Sequence, residues 1–518
     1  MEVDNMSPFL DIPLEVLLQI SSYLTTSDYG NLRHVCRRLE VSLLQSFTHE
    51  FFTKRQFMIS EFSLGALVDI SKSRFAPSLS HLIISIERPP IPPSLPVHMQ
   101  VFSDLEQALR YNKMREEHMS HQALITTGRD LQLLTEALCN LPNLETIGLR
   151  DFNSSGRYRD ETDNTWHAYG APTFFRETNF PLDQPRFGGR HLDSSLVESR
   201  IQYVSYVFLM MLRALGKAKE THSPTQLEVI LRNCHLPSLA FNVPRYLEST
   251  ITPFLKDLQT LFLDLGPASF STLVINNGGN YQGYLGLTLV TFLSKTTSLK
   301  HLRLNFRSCA KDETRDLLLW LIRTPESSGG SKHQGVEVNK MQEKLPRIPQ
   351  TPAFQHLKEL EIGMITIEPS LLLNIYKRFK PSLRIISLHK VTFSIESQNQ
   401  VADRVNLWAS FFGQMAKLKF NLSDIRLSFL KQIHSMPGYS IEFFLKQIHS
   451  MPGYSIEFKD KNKNSSAPNY GTTWTGNDFE RSSGELIDSM FINWPPDQDM
   501  QEDSYTSPSE DDDDIDDE

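Results

Sequence analysis

The sequence predicts an α/β chain in three parts: a small three-helix unit, an irregular array of helices and short strands, and a disordered acidic tail. Three observations carry this. Apolar residues recur at helical spacing near the start, L-x-x-L-x-L stretches preceded by helical segments recur through the middle, and the end is acidic without a base. At 518 residues the chain exceeds what one compact core organises, so several domains or an elongated repeat architecture are expected.

The first part is residues 7–54. Ile12, Val16, Leu17, Ile20 and Leu24 lie at steps of four, one, three and four, one face of a helix. Pro13 suits a first helical turn, and Glu15 suits the positive end of the helix dipole. Thr25, Thr26, Ser27 and Asp28 form a polar break with capping chemistry. Leu32, Val35, Cys36 and Leu39, continued by Leu43, Phe47 and Phe51, predict two more short helices.

These residues resemble an F-box. Ile12-Pro13-Leu14-Glu15, Ile20, Tyr23-Leu24, Asp28, Leu32 and Val35-Cys36-Arg37 fall in that family's order and spacing. Ile12 stands where Leu is commoner, and Leu39 where many members carry Trp. The resemblance implies a helical module that docks on the Skp-type adaptor of a cullin-RING ubiquitin ligase, with the cullin scaffold as a further partner. The adaptor contact would involve Leu10, Ile12, Pro13, Val16, Leu17, Ile20, Leu24, Leu32, Val35, Cys36 and Leu39, leaving the rest of the chain to choose a protein substrate. The alternative is three ordinary core helices, but some forty residues cannot hide so many large apolar side chains among themselves.

The second part is residues 55–458. Leu79/Leu82/Ile84, Leu144/Ile147/Leu149, Leu258/Leu261/Leu263, Leu299/Leu302/Leu304, Leu357/Leu360/Ile362, Leu383/Ile386/Leu388 and Leu422/Ile425/Leu427 repeat one pattern, with a weaker version at Leu227. Helical stretches at Asp130–Leu141, Ser195–Leu215, Leu285–Leu293, Lys311–Ile322, Pro369–Phe379 and Val401–Met415 alternate with them. Helix, turn and short strand in repetition is the layout of a leucine-rich-repeat solenoid. Starts lie between 26 and 83 residues apart, so the expectation is an irregular, leucine-rich-repeat-like region. An unrelated α/β domain is the alternative. An F-box followed by irregular leucine-rich repeats resembles a layout common among fungal F-box proteins.

Two insertions interrupt this region. Residues 326–352 are polar and rich in Gly, Ser and Pro. Residues 151–193 are rich in aromatics and arginine without helical or strand period, a composition that interface hot spots favour. Arg157, Arg159, Trp166, Tyr169 and Arg176 are therefore the candidate substrate contacts; the competing reading is that the rings pin the insertion onto its neighbours. FLKQIHSMPGYSIEF, residues 429–443, recurs unchanged as 444–458, which points to a recent duplication or a gene-model error. Pro437-Gly438 and Pro452-Gly453 are expected turns between a short helix and a short strand.

The third part, residues 459–518, reads as disordered, so a chain cut after about Phe458 is expected to keep its stability. Glu502 to Glu518 holds ten acids and no base; removing them from the net charge of −9 leaves residues 1–501 at +1. No basic surface for nucleic acid is expected, and no apolar run is long enough to span a bilayer. Ser509 precedes three acids and resembles sites of acidophilic kinases.

No catalytic or cofactor motif emerges. Asn276–Gly286 is Gly-rich before a helix but lacks Gly-Lys-[Ser/Thr], no Gly-x-Ser-x-Gly occurs, and the sixteen histidines show no metal spacing. Cys36, Cys139, Cys234 and Cys309 are far apart and fit reduced thiols in cytoplasm or nucleus; the start lacks a secretory pattern. Two functions follow: the substrate-recognition subunit of an SCF-type ligase, or a non-degradative scaffold with the same modules.

Overall fold

Residues 14–52 fold as three helices, α1 (Leu14–Ser22), α2 (Thr26–His34) and α3 (Arg37–Phe52). Pro13 precedes α1 at φ −56°, the value its ring imposes and a helix start accepts. The Thr25 hydroxyl caps α2 by accepting the Asp28 N–H at 3.1 Å. Leu17, Tyr29, Leu39, Leu43 and Phe51 form the core between the helices. The computed structural model describes residues 12–92, 104–154, 159, 165–184, 194–221, 223–270, 286–323, 348–394, 405–433, 454–459, 469–476 and 479–492.

Thr53 alone separates α3 from β1 (Lys54–Met58). There follow α4 (Glu61–Ser71), β2 (His81–Ser85), α5 (Leu105–Thr127), α6 (Arg129–Cys139), β3 (Thr146–Arg150), α7 (Ala171–Thr178), α8 (Ser194–Ala218), β4 (Gln226–Ile230) and α9 (Arg245–Asp257). Next come β5 (Thr260–Leu265), α10 (Pro267–Phe270), α11 (Leu287–Leu293), β6 (His301–Phe306), α12 (Lys311–Ile322), β7 (Glu359–Gly363), β8 (Thr366–Ile367), α13 (Pro369–Phe379), β9 (Ile385–His389) and β10 (Thr392–Ser394). The described chain ends with α14 (Leu407–Lys417), β11 (Asp424–Ser428), β12 (Lys431–Ile433), β13 (Tyr454–Phe458), β14 (Gly471–Thr475), α15 (Phe479–Ser489) and β15 (Met490–Ile492).

Ten strands form one sheet in the order β1-β2-β3-β4-β5-β6-β7-β9-β11-β14, parallel except for β14. Each recurrent leucine stretch supplies one strand. Its alternate residues, such as Leu302 and Leu304 or Ile386 and Leu388, point into a continuous core under the helices. Helices α4, α6, α8 and α9 pack in succession along that face, as do α12, α13 and α14. From β7 onward a second, five-stranded sheet, β15-β13-β12-β10-β8, runs beside the first. The chain turns from one sheet to the other at Met364, Lys390 and Phe429, all at φ between 53° and 56°. Such left-handed corners usually call for Gly, so no sequence signal marked β8, β10 or β12.

Several expectations need correcting. The described residues of the tail, which end at Ile492, are structured: β14 extends the large sheet, α15 packs on α14, and Trp474, Phe479, Leu486 and Met490 are buried. Sparse apolar residues at helical spacing suffice there, although the average composition is polar. The insertion also contains a helix, α7, started by Gly170 at φ 95° and Pro172. The long α5 went unread because it buries only Tyr111, Met114, His121 and Leu124. In the duplicated stretch, Lys431–Ile433 is strand, not helix. The Pro-Gly pairs there, residues 326–347 of the other insertion, and the Gly-rich stretch as far as 285 lie outside the described residues.

Two measurements follow. Truncation after residue 458 strips β14 from β11 and uncovers the α14 face, so thermal melting is expected to drop by about 5 °C or more; an unchanged melt would show the tail fold to be marginal. The duplicated stretch uses the first third of one copy as β12 and the last third of the other as β13, with twenty residues between. Removing fifteen leaves five between the same strands, and loop-closure entropy then favours the shorter chain by about 1 kcal/mol, checked by denaturant unfolding.

Candidate functional site

The three N-terminal helices have more apolar surface than their own core absorbs. Val16, Ile20 and Val35 are 44%, 37% and 70% exposed, and Pro13 is exposed. Ile12, Leu24, Leu32 and Cys36 are half-buried against the helical core. Leu17 and Leu39, at 3% exposure, are interior, which corrects their expected place in a contact. Helical spacing alone could not separate the core-facing side from the outward one. Leu14, Tyr23 and Val41, exposed by 45%, 82% and 60%, join the outward set, and their phase one or two residues off the core row was the available signal. Leu10 lies outside the described residues. A shallow cleft between α1 and α3, lined by Leu14, Leu18, Gln45 and His49, adjoins this surface. Uncovered apolar groups on so small a unit mark a protein contact.

Residues 9–44 match the F-box-like family model. F-box domains are typically non-catalytic protein-interaction modules, and they commonly bind Skp-type adaptors. No curated protein matches the chain. Among the described residues no helix is long and apolar enough to cross a membrane.

The insertion meets the F-box-like helices instead of facing outward. The Arg159 side chain, 2% exposed, donates from Nε to Glu50 at 2.6 Å and from Nη1 to the Ser21 carbonyl, with its guanidinium 4.4 Å from the centre of the Tyr29 ring. Trp166 packs against Phe51, and Arg55 lies 5.1 Å from the Trp166 ring centre. Tyr169 bridges to Phe57, donating its N–H to the Gln56 carbonyl at 2.8 Å and so covering the free edge of β1. These contacts correct the expectation that Arg159, Trp166 and Tyr169 meet a substrate: they bind the helical unit to the sheet. Arg176 is exposed on α7, and Arg157 lies outside the described residues.

The outer face of the large sheet is polar and in register. Across neighbouring strands run Lys54, His81, Thr146, Gln226, Thr260, His301, Glu359, Ile385 and Asp424 in one row, and Glu228, Phe262, Arg303, Glu361, Ser387 and Arg426 in the next. A carboxylate ladder supports it. Asp151, fully buried, accepts the N–H groups of Arg232, Asn233 and Cys234 at 2.6, 2.6 and 2.9 Å. Asp264 accepts the Leu231 N–H at 3.0 Å and the Asn305 amide at 2.9 Å. Burial pushes the Asp264 carboxyl up, against the pull of Asn305 and Arg303. At Gly363 an added Cβ would fall 2.3 Å from the Asn305 side-chain oxygen, so Asn305 would have to shift.

Toward β7, His301 Nε2 lies 2.7 Å from Glu361, and its Nδ1 lies 3.6 Å from Glu359. Burial pushes the Glu361 carboxyl up, but the His301 hydrogen bond with the charges of His301, Arg303 and Arg426 outweighs it and leaves the group lowered. His301, Glu359 and Glu361 have donor atoms within 4.8 Å of one another, the donor types a divalent cation takes. Arg426 already pairs with Glu359 at 2.8 Å, so the set reads as an ion-pair network. Burial pushes the Cys309 thiol up to about 12 and the Cys234 thiol well up, so neither offers a thiolate at neutral pH.

The buried Arg159 pair gives a sharp expectation. Arg159→Ala leaves Glu50 without its cation, at a cost of about 3–5 kcal/mol. Hydrogen exchange of α1–α3 is expected to rise while that of β5–β9 does not; equal protection in both regions would make the contact dispensable.

Proposed function

We propose that the chain is the substrate-recognition subunit of an SCF-type cullin-RING ubiquitin ligase. In this reading the exposed apolar set of α1–α3 binds the Skp-type adaptor, and the strand-and-helix array, taken as leucine-rich-repeat-like, presents its polar outer face to a protein substrate. The ubiquitin chemistry belongs to other subunits of the complex, and the chain works in cytoplasm or nucleus. The observation that carries the reading is the pairing of an F-box-like match with uncovered Val16, Ile20 and Val35 on the matched helices. The contacts of Arg159 and Trp166 support it further, because they join the adaptor-facing unit to the sheet without a long linker.

The outward residues give a cleaner test than the interior ones. Leu17→Asp would place a charge in the core of α1–α3 and unfold the unit whether or not it binds anything. Ile20→Asp and Val35→Asp change exposed groups only, so thermal melting is expected to hold. Loss of about 3 kcal/mol of contact energy would weaken adaptor binding more than a hundredfold. Co-purification of adaptor, cullin and ubiquitin conjugates with the native chain, and their loss from the double variant, is the expected result. Adaptor recovery at native levels from the folded double variant would sink the proposal, and adaptor without cullin or conjugates would favour the non-degradative scaffold.

A further inference from the structure

The β1–β4 end of the outer sheet face carries an excess of positive charge. His81 Nε2 at 3.5 Å and Arg150 Nη2 at 3.9 Å converge on one oxygen of Glu228, and Lys54 is paired across the strands with His81. Arg232 and Arg150 both face the Phe152 ring, with guanidinium carbons 3.8 and 5.3 Å from its centre. Two carboxylates, Glu228 beside Lys54 and Arg150 and the buried Asp151 at the Arg232 N–H, stand against three permanent cations, Lys54, Arg150 and Arg232. His81 adds no charge at neutral pH, because burial, then Lys54 and Arg150, push its pKa down to about 3. The Lys54 ammonium is also lowered, by burial first and by Arg150 second. Arg150 is 9% exposed, and its Nε is buried without a hydrogen-bond partner. Guanidinium groups left partly unsatisfied beside like charges are a standing site for an anion.

The same chain holds a matching anion. Glu502–Glu518 has ten acids and no base. The described residues end at β15, which pairs with β13, and β13 with β12, just beyond β11. From β11 to β3 is six strand spacings, about 29 Å. The 26 residues after Ile492 can reach at most about 86 Å, which exceeds that separation. The sheet face near β7–β11 instead carries Glu359, Glu361 and Asp424, with Arg426 paired to Glu359, and so offers an acidic segment less positive charge than the β1–β4 end.

We propose that the acidic C-terminal segment, Glu502–Glu518, docks in cis on the Lys54–Arg150–Arg232 patch and holds it closed to other anionic segments. The contact is electrostatic, so it weakens as salt rises and strengthens if Ser509 is phosphorylated. It is independent of adaptor binding and concerns this chain alone.

The test uses full-length chains and a fluorescein-labelled peptide of residues 501–518, read by anisotropy at 50 mM salt. Three chains are compared: native, one with the ten tail acids changed to Asn or Gln, and that tail-neutral chain with Lys54→Glu and Arg232→Glu. The peptide is expected to bind the tail-neutral chain, to bind the native chain at least about tenfold more weakly because the cis tail competes, and not to bind the charge-reversed chain. Lys54 and Arg232 are exposed, so the reversal spares the interior; should its melt fall, Lys54→Gln with Arg232→Gln is expected to weaken binding in a chain of native stability. Equal binding to native and tail-neutral chains overturns the cis contact. Equal binding to the reversed or Gln variants overturns the patch, and no binding to the tail-neutral chain overturns both.

Discussion

A single hydrogen-bond step, repeated along the molecule, holds the architecture together. The Thr53 carbonyl, between α3 and β1, accepts the N–H groups of Ser80 and His81 at 3.1 and 3.0 Å. Ser80 does the same for Glu145 and Thr146, Glu145 for Thr225 and Gln226, and Thr225 for Gln259 and Thr260. Gln259, Lys300, Lys358 and Arg384 continue the series to Ser423 and Asp424. Each residue that leads into a strand thus fixes the start of the next, so every strand begins at the same height. That common start is what aligns the inward leucines under the helices and the outward polar residues in rows. The insertions between strands lengthen the return path without disturbing the step, which is how starts 26 to 83 residues apart still form one sheet.

This explains what the sequence could show. Inward residues such as Leu261, Leu263, Leu360 and Ile362 are fully or almost fully buried, so their period is written in apolar side chains and was legible. The step at Thr53, Ser80, Glu145, Gln259 and Lys300 is made by backbone atoms and leaves no residue preference behind. The same is true of the corners at Met364, Lys390 and Phe429, where non-glycine residues hold positive φ and the second sheet begins. β1 was missed because KRQFM carries only two apolar residues; its strand character comes from pairing with β2.

The candidate site divides the same way. The helical period gave the apolar residues of α1–α3, but not which of them the third helix covers; Leu17 is interior because Leu39 and Leu43 of α3 close over it, while Ile20 stays out. Arginine and aromatic content was read in the insertion as a sign of binding, and binding is what these residues do, toward their own chain. Arg159 adds a side-chain donor at the Ser21 carbonyl near the end of α1, which the Leu24 N–H also meets at 3.3 Å. The charge asymmetry of the outer face could not be seen in a chain whose first 501 residues sum to nearly zero, because it depends on which strands lie side by side.

The first rung and the insertion together decide how α1–α3 sit against the sheet. A helical unit joined to a sheet by one residue could still pivot at Thr53, since a single backbone position has two free dihedrals. Thr53 is held at both ends, its hydroxyl donating to the His49 carbonyl at 2.7 Å and its own carbonyl accepting from Ser80 and His81. Arg159, Trp166 and Tyr169 then add further contacts, reaching α1, α3 and β1 from a segment more than a hundred residues away in sequence. A second set of attachments limits the freedom of that hinge. The exposed apolar groups of α1–α3 are thereby fixed in direction relative to the rows of the sheet.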